Sequence, residues 1–220
     1  MKGIFFLIFP LTCAVLHAQD PWKDIYRESA WEQRDKWQRA DEIIGKLMIK
    51  PGSNVADVGC HEGYFTIKLA KAVGAQGRVY AVDVSRDKTE KLKRHLEDRK
   101  IQNVNVILGE ENNPRLPPLA LDAVLIVDTY HEMDAHQEIL GAIKNALKWK
   151  GKLVICEPIS DERKKLSRQD QERKHELGMN YAIEDLKKAG YKILLQEESF
   201  VDRVKEKGDK MWIIVCEKSN

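Results

Sequence analysis

The sequence predicts an α/β fold with a doubly wound sheet of seven strands, mostly parallel, with an antiparallel hairpin at its C-terminal end. Three observations favour this fold. Strand-like and helix-like segments alternate from residue 55 to residue 156, which is typical of a parallel sheet with helices on both faces. Residues 123–127 form a continuous apolar run, as in a strand buried on both faces. The last two strand-like segments, 191–200 and 211–217, are joined by a connection too short for a crossover helix.

The first 18 residues have the composition of a secretory signal peptide. One lysine precedes an apolar run from Gly3 to Leu16, and His17-Ala18-Gln19 supplies the small-residue end. The apolar run is shorter than the roughly 20 residues that a membrane-spanning helix needs, so no stable membrane span is expected. We expect residues 1–18 to be removed after Ala18 and the protein to be periplasmic, or cytoplasmic if the signal is not used. A wrongly assigned start and an uncleaved anchor are the alternatives.

Residues 19–50 are predicted to form an N-terminal helical segment, followed by one domain over residues 51–220. Apolar residues recur at helical spacing from Trp22 to Met48, and Lys50-Pro51-Gly52 ends the pattern. Further along the chain the predicted strands are 55–58, 78–84, 104–108, 123–127 and 152–156, and the predicted helices are 64–73, 85–99, 182–189 and one that Asp134 caps.

Composition bounds the class of protein. The 220 residues suit one domain, and a hydrophobic content of 43% is enough for a core. The formal net charge is only +2, so no electrostatic footprint for nucleic acid is expected. Beyond residue 18 the cysteines are Cys60, Cys156 and Cys216, which lack metal-binding spacing and are expected to be small buried residues. Free thiols are unusual in an oxidising compartment, and this point stands against export.

The stretch VADVGCHEGYF, residues 55–65, reads as a strand, a tight turn and the start of a helix. A dinucleotide site would use three glycines here, but His61 lies between Gly59 and Gly63. Asp57 precedes the turn and Glu62 lies inside it, which disfavours a pyrophosphate and an NAD-dependent oxidoreductase. The two acids favour a cationic ligand with a ribose, an amino group and a positive sulfur.

Asp83 supports the same ligand. It ends the second predicted strand, 20 residues after Gly63. A carboxylate at this place can accept hydrogen bonds from both hydroxyls of an unphosphorylated ribose. Capping of the next helix is the alternative role for Asp83, but Ser85 is the better cap.

From residue 50 to residue 220 the chain resembles the class I S-adenosylmethionine-dependent methyltransferases. The motifs that carry the resemblance are VADVGCHEGYF, AVDV, LDAVLIVDTYHEM, LKWKGKLVICEP and the terminal hairpin, five in the right order. The resemblance implies a Rossmann-like domain with S-adenosyl-L-methionine as cofactor. It also implies a role for each matching residue: Asp57 anchors the turn, Gly59 and Gly63 let the backbone approach the cofactor, Asp83 holds the ribose, Glu110 in the loop 109–112 flanks the adenine, and Asp128 faces the methionine amino group or the substrate.

His61 departs from the family pattern, which usually has glycine at this place. Histidine is tolerated at positive φ more than most residues, though less than glycine. Two roles are open for His61, a tolerated turn residue within the cofactor site or a contact to the substrate, and the same two are open for Glu62.

Methyl transfer requires mainly proximity and alignment, with a general base only if the acceptor must lose a proton. His131 follows the fourth predicted strand and, with Glu132, is our candidate for the base or for substrate orientation; Tyr130 is the second candidate. His136 lies on the apolar stripe of a helix, which favours core packing. No metal site is expected, because His131, His136 and Cys60 lack ligand spacing.

Residues 161–177 are almost entirely charged, which is typical of a solvated helix or loop. They also follow the carboxyl end of a strand, where open α/β sheets bind ligands. The segment is therefore a candidate cover for the site, and His175 within it is a further substrate-side candidate.

The sequence thus predicts a methyltransferase acting on a small-molecule acceptor. The alternative is an exported binding protein that keeps the fold and has lost turnover. The acceptor and the oligomeric state are not encoded in any motif found here.

Overall fold

The computed structural model describes residues 25–219. The predicted signal peptide, its cleavage site and the first residues of the predicted N-terminal helical segment lie outside this range. Within it, the helices are too short or too polar for any of them to cross a bilayer.

The protein is built on one sheet of seven strands in the order β3-β2-β1-β4-β5-β7-β6. Strands β1 to β5 are parallel, and β7 runs antiparallel to both of its neighbours. The predicted α/β fold and its antiparallel C-terminal hairpin are confirmed. The strands are β1 Asn54–Val58, β2 Arg78–Asp83, β3 Val104–Leu108, β4 Leu121–Val127, β5 Leu147–Ile159, β6 Tyr191–Arg203 and β7 Asp209–Lys218.

Helices cover both faces of the sheet. The α-helices are α1 Trp31–Arg34, α2 Ala40–Lys46, α3 Tyr64–Val73, α4 Arg86–Asp98, α5 His136–Ala146, α6 Arg168–Glu172, α7 Met179–Lys188 and α8 Val204–Lys207, with 3-10 turns at Glu28–Ala30 and Tyr130–Glu132.

Strand β4 shows why the central run is apolar throughout. Val124 and Ile126 belong to the core beneath α5 and α7, whereas Ala123, Leu125 and Val127 belong to the core beneath α2 and α3. Alternate side chains therefore enter opposite cores, and a polar residue at any of these positions would be buried without solvent.

The order in which the chain adds strands to the sheet reverses at β1: β2 and β3 lie on one side of it, and β4 begins the other side. Strands β1 and β4 are neighbours, with Asp57 paired to Leu125. The loops that follow β1, β2 and β4 emerge at the same edge, and open α/β sheets bind ligands at such a switch point. Gly59, Asp83 and Asp128 meet there.

Three local predictions were wrong. The segment before residue 50 is two short helices, because Arg39 takes φ +52° between them and Arg34 turns inward to donate to Gln38 at 2.9 Å. Asp134 does not cap α5, which begins at His136 with Ala135 at the N-cap position and no side-chain cap. Strand β5 continues through Pro158, whose carbonyl accepts from the Leu177 backbone N–H.

Candidate active site

The turn after β1 is held in left-handed backbone conformations at alternate residues. The φ angles are +81° at Gly59, +49° at His61 and +99° at Gly63. A Cβ on Gly59 would lie 2.2 Å from Cγ2 of Thr129, so only glycine lets this turn pack against the loop after β4. His61 occupies a positive-φ position, as its place in the motif predicts.

Asp83 ties this turn to the end of β2. One carboxylate oxygen accepts from the His61 backbone N–H at 2.9 Å, and the other accepts from the Ser85 backbone N–H at 2.8 Å. The Ser85 hydroxyl in turn caps α4 through the Lys88 N–H. Each carboxylate oxygen keeps a further acceptor position, and the half-buried side chain lines the cavities described next.

Two adjoining cavities open at the carboxyl edge of the sheet. The larger, about 810 Å³, is lined by residues 109–112 together with Pro114, Met133 and Ile139. The smaller, about 410 Å³, lies under the N-terminal segment and includes His131 and His175. Both volumes are in the range of small-molecule sites. The residues that line both cavities are Gly59, Asp83, Thr129 and Glu132.

A buried carboxylate from β5 shapes the wall that carries His131. Glu157 has no solvent exposure and accepts from the backbone N–H groups of Thr129, at 2.7 Å, and Tyr130, at 3.0 Å. Its other oxygen lies 2.5 Å from Nδ1 of His131. Glu157 therefore fixes the ring through Nδ1, and the other ring nitrogen, Nε2, lies 3.3 Å from Glu132.

The charges around His131 favour its protonated form. Burial by itself would lower the pKa of the imidazole, but the Glu157 carboxylate and the hydrogen bond to Glu132 raise it to about 10. The bond from His131 also lowers the pKa of Glu132 to about 2. His131 consequently carries its proton at neutral pH, which favours substrate orientation over the general-base role predicted from the sequence.

His61 has the opposite electrostatic environment. Burial, assisted by Lys88, lowers its pKa to about 4, so the ring is neutral. Its Nδ1 is buried and, among residues 25–219, has no hydrogen-bond partner. The ring lies 5.8 Å from that of Tyr26 and lines the smaller cavity, where a ligand can meet it. Glu62 turns away from both cavities and accepts from the Glu28 backbone N–H at 3.2 Å.

Asp57 in β1 and Asp128 just after β4 both have buried side chains, but their pKa values are shifted in opposite directions. Burial raises the pKa of Asp57 to about 6, against the hydrogen bond that Thr66 donates at 2.6 Å. Asp128 is buried too, but the guanidinium of Arg203 keeps its pKa well below the usual range. Tyr26 donates a further bond to Asp128 at 2.5 Å.

Tyr130 and His136 lie outside the two cavities. Tyr130 is completely buried in the core and donates to Asp185 at 2.9 Å, so it has no free path to a ligand. The ring of His136 packs against that of Tyr130 with centroids 4.8 Å apart, as its place on the apolar stripe predicts.

The charged segment 161–177 does reach the site. Its end is anchored below β5, where Glu176 accepts from the Ser160 backbone N–H at 2.9 Å. Its middle is held to α7 by Arg168, 2.8 Å from Asp185. This anchoring brings His175 to 2.5 Å from Glu132, at the wall of the smaller cavity.

Sequence reasoning missed Glu157, Tyr26 and Arg203. Glu157 had a usable signal, because it is a single acid at the end of an apolar strand-like run. Tyr26 and Arg203 had none, since they reach Asp128 from positions 102 and 75 residues away in the chain.

A family model described as a methyltransferase domain matches residues 49–211. The chain belongs to this methyltransferase family. The resemblance to the class I S-adenosylmethionine-dependent methyltransferases is thereby confirmed, together with the cofactor expected for the family. The alternative of a non-catalytic binding protein receives no support from the match.

Curated relatives agree with this methyltransferase assignment. A demethylmenaquinone methyltransferase of Geobacillus sp. (strain WCH70) is 28% identical over 122 residues, which is 56% of this chain and 51% of the relative. One from Staphylococcus saprophyticus is 28% identical over 127 residues, 58% of this chain and 52% of the relative. The chain thus spans about half the length of these relatives.

Solved structures match the methyltransferase fold over most of the chain. A SAM-dependent methyltransferase from Aquifex aeolicus has a TM-score of 0.73 at 22% identity, covering 91% of this chain and 99% of its own. The [4+2]-cyclase SpnF also has a TM-score of 0.73, at 18% identity, covering 90% of this chain and 86% of its own. Similarity at this level shows the fold, whereas the reaction has to be inferred from the residues of the site.

Proposed function

We propose that the protein transfers a methyl group from S-adenosylmethionine to a small-molecule acceptor held in the smaller cavity. The observation that carries the proposal is the junction of the two cavities, where Gly59, Asp83, Thr129 and Glu132 line both. A cofactor in the larger cavity would have its reactive end at this junction, next to an acceptor in the smaller one.

The residues of the larger cavity fit the cofactor. The loop 109–112 offers a wall for the adenine, and Asp83 offers acceptors for the ribose hydroxyls. Gly59 lines both cavities and carries no side chain, so its backbone can lie directly against the methionine part beside the turn. When bound, the cofactor supplies an electrophilic methyl group on a positively charged sulfur.

The smaller cavity fits a flat acceptor that bears oxygen. Its lining includes the aromatic rings of Tyr26, Tyr64 and Phe65, and His131 presents Nε2 beside Glu132. Aromatic faces favour a planar ring, and the polar groups at one end would orient an oxygen on it. The named substrate class of the curated relatives, a demethylmenaquinone, has this character, so hydroquinones and phenols are the first acceptors to test.

The test is transfer of a labelled methyl group from S-adenosylmethionine to a panel of hydroquinones, phenols, thiols and amines. We expect a hydroquinone or phenol to be labelled, and His131→Asn to lower turnover about 10- to 1,000-fold through lost orientation. The matched control is His136→Asn, a buried histidine outside both cavities, which should keep its turnover. Failure of the wild type to bind the cofactor, or equal loss in the two variants, would overturn the proposal.

We also propose that the protein is exported and periplasmic. The support is the composition of residues 1–18. N-terminal sequencing of protein made in its native host should begin at Gln19 or close to it, whereas an intact Met1 on cytoplasmic protein would contradict export.

A further inference from the structure

Two histidines and a carboxylate converge at the edge of the smaller cavity. They are His131 from the turn after β4, Glu132 beside it, and His175, which follows α6 in the charged segment 161–177. Nε2 of His131 lies 3.3 Å from Oε1 of Glu132, and Nδ1 of His175 lies 2.5 Å from the same oxygen. No two of the three ligand atoms are more than 4.8 Å apart. Within residues 25–219, no other such cluster of three histidine, cysteine or acidic side chains is found.

The carboxylate behind His131 is the second observation. Glu157 contacts Nδ1 of His131 and thereby leaves Nε2 as the ring atom that faces Glu132. Histidines that bind metals almost always donate their other ring N–H to a carboxylate or carbonyl in this way, which fixes the ring and raises its basicity. Glu157 is fully buried and also accepts from three backbone N–H groups, so its position does not depend on solvent.

We propose that His131, Glu132 and His175 together bind a divalent transition-metal ion. Two imidazole nitrogens and one carboxylate oxygen suit zinc, iron, nickel or copper, whereas magnesium and calcium prefer oxygen ligands alone. Three protein ligands leave at least one coordination position open.

Binding of the ion would require only a small movement, and His175 is the side chain that would move. Ligands at about 2.1 Å from a tetrahedral ion lie about 3.4 Å apart, close to the separation of His131 and Glu132. His131 is buried with only 3% of its side chain exposed, so it is the fixed ligand. The His175 side chain is 70% exposed and can rotate to complete the set. The carboxylates of Glu132 and Glu157, which lie at the two ring nitrogens of His131, attract a divalent cation, and the ion would take the place of the proton on Nε2.

The place of the site indicates what the ion would do. All three side chains line the smaller cavity, and Glu132 also lines the larger one. An ion with an open position there would bind the oxygen of the acceptor and hold it next to the cofactor. This last role rests on the methyl transfer proposed above, whereas the metal site itself does not.

The experiment uses tag-free, full-chain protein stripped of metal with EDTA and dialysed, without cofactor or acceptor. Calorimetry with Zn²⁺ measures affinity and stoichiometry, and visible absorption of Co²⁺ distinguishes nitrogen and oxygen ligands from the thiolates of the three buried cysteines. Glu132→Gln and His175→Asn each remove one ligand. Asparagine is chosen at position 175 because the backbone there has φ +57°, which asparagine tolerates. Glu138→Gln and Lys174→Asn are matched exposed controls from the same two regions.

We expect about one Zn²⁺ per chain, bound at least 100-fold more tightly than Mg²⁺. Glu132→Gln and His175→Asn should each weaken Zn²⁺ binding by about 100-fold or more, with the two controls unchanged. Glu157→Gln should weaken it about 10- to 100-fold. Absence of stoichiometric Zn²⁺ and Co²⁺ binding, wild-type affinity in both ligand variants, or a thiolate spectrum would overturn the proposal. Cofactor affinity measured separately in EDTA tests the methyltransferase proposal alone, so the two can fail independently.

Discussion

Nδ1 of His131 lies 2.5 Å from Oε2 of Glu157, a side chain with no exposure to solvent. The same carboxylate accepts from the backbone N–H groups of Thr129 and Tyr130. One buried charge on β5 therefore holds the turn after β4 and also aims the ring that faces the smaller cavity. The contact joins the turn after β4 to the neighbouring strand β5, across 26 residues of the chain.

Glu157→Gln should destabilise the protein by about 3 kcal/mol or more, because it leaves the buried His131 with only the exposed Glu132 as a counter-charge. The glutamine oxygen can still accept from Thr129 and Tyr130, so the turn itself should remain. Urea denaturation measures the stability. The control is Glu217→Gln, which removes a partly exposed pair with Lys152 and should cost far less. Equal losses in the two variants would mean that the buried pair contributes no more to the free energy of unfolding than the partly exposed one.

Asp83→Ala should weaken S-adenosylmethionine binding by about 1.5–3 kcal/mol, which is about 10- to 150-fold in Kd. The variant loses the acceptors for the ribose hydroxyls and also the two bonds that hold His61 and Ser85. Calorimetry measures Kd. Asp87→Ala, an exposed acid in the first turn of α4, is the control and should bind like the wild type. Unchanged affinity in Asp83→Ala would remove Asp83 from the cofactor site.

Asp57 should make the stability of the ligand-free protein fall as pH rises from about 4 to about 6. Its folded-state pKa is about 6, above the unfolded value of about 3.9, so the folded state binds more protons in this interval. Its contribution is present below about pH 4, is lost as pH rises through 6, and amounts to about 2–3 kcal/mol.

Asp57→Asn can still accept from Thr66 and cannot ionise, so it should remove this part of the pH dependence. Denaturant titrations of both proteins from pH 4 to pH 8 measure the difference. Parallel pH profiles would show that Asp57 is already ionised at low pH.

Asp128→Asn should lower stability by about 3 kcal/mol or more, since it leaves the buried Arg203 with Asp209 as its remaining counter-charge. Asparagine keeps the backbone, which has φ +56° at this position. We expect the Kd for cofactor to change less than in Asp83→Ala, because Asp128 is already occupied by Arg203 and Tyr26. Thermal melting and calorimetry measure the two effects. Unchanged stability with a strong loss of affinity would instead make Asp128 a direct ligand of the methionine amino group.

Helix bounds and caps were predictable from the sequence wherever a residue pattern is compatible with only one local structure. Helix α3 was predicted with the same bounds as it has in the structure, from apolar periodicity and the glycine that follows it. Ser85 was predicted to cap α4 and does so. The N-terminal segment failed because its periodicity passes unbroken through Arg39, where the backbone reverses to positive φ.

The sequence by itself determined the order of strands and helices, the glycine turn with His61, the acid at the end of β2 and the family to which these belong. Those features are local, because spacing and residue type along a few neighbouring positions decide them. Only the tertiary structure decided that Glu157 supports His131, that Arg203 neutralises Asp128 and that His175 meets Glu132. Each of these pairs joins segments separated by 26 to 75 residues, and the packing of the sheet and its covering segments, which no local pattern records, brings them into contact.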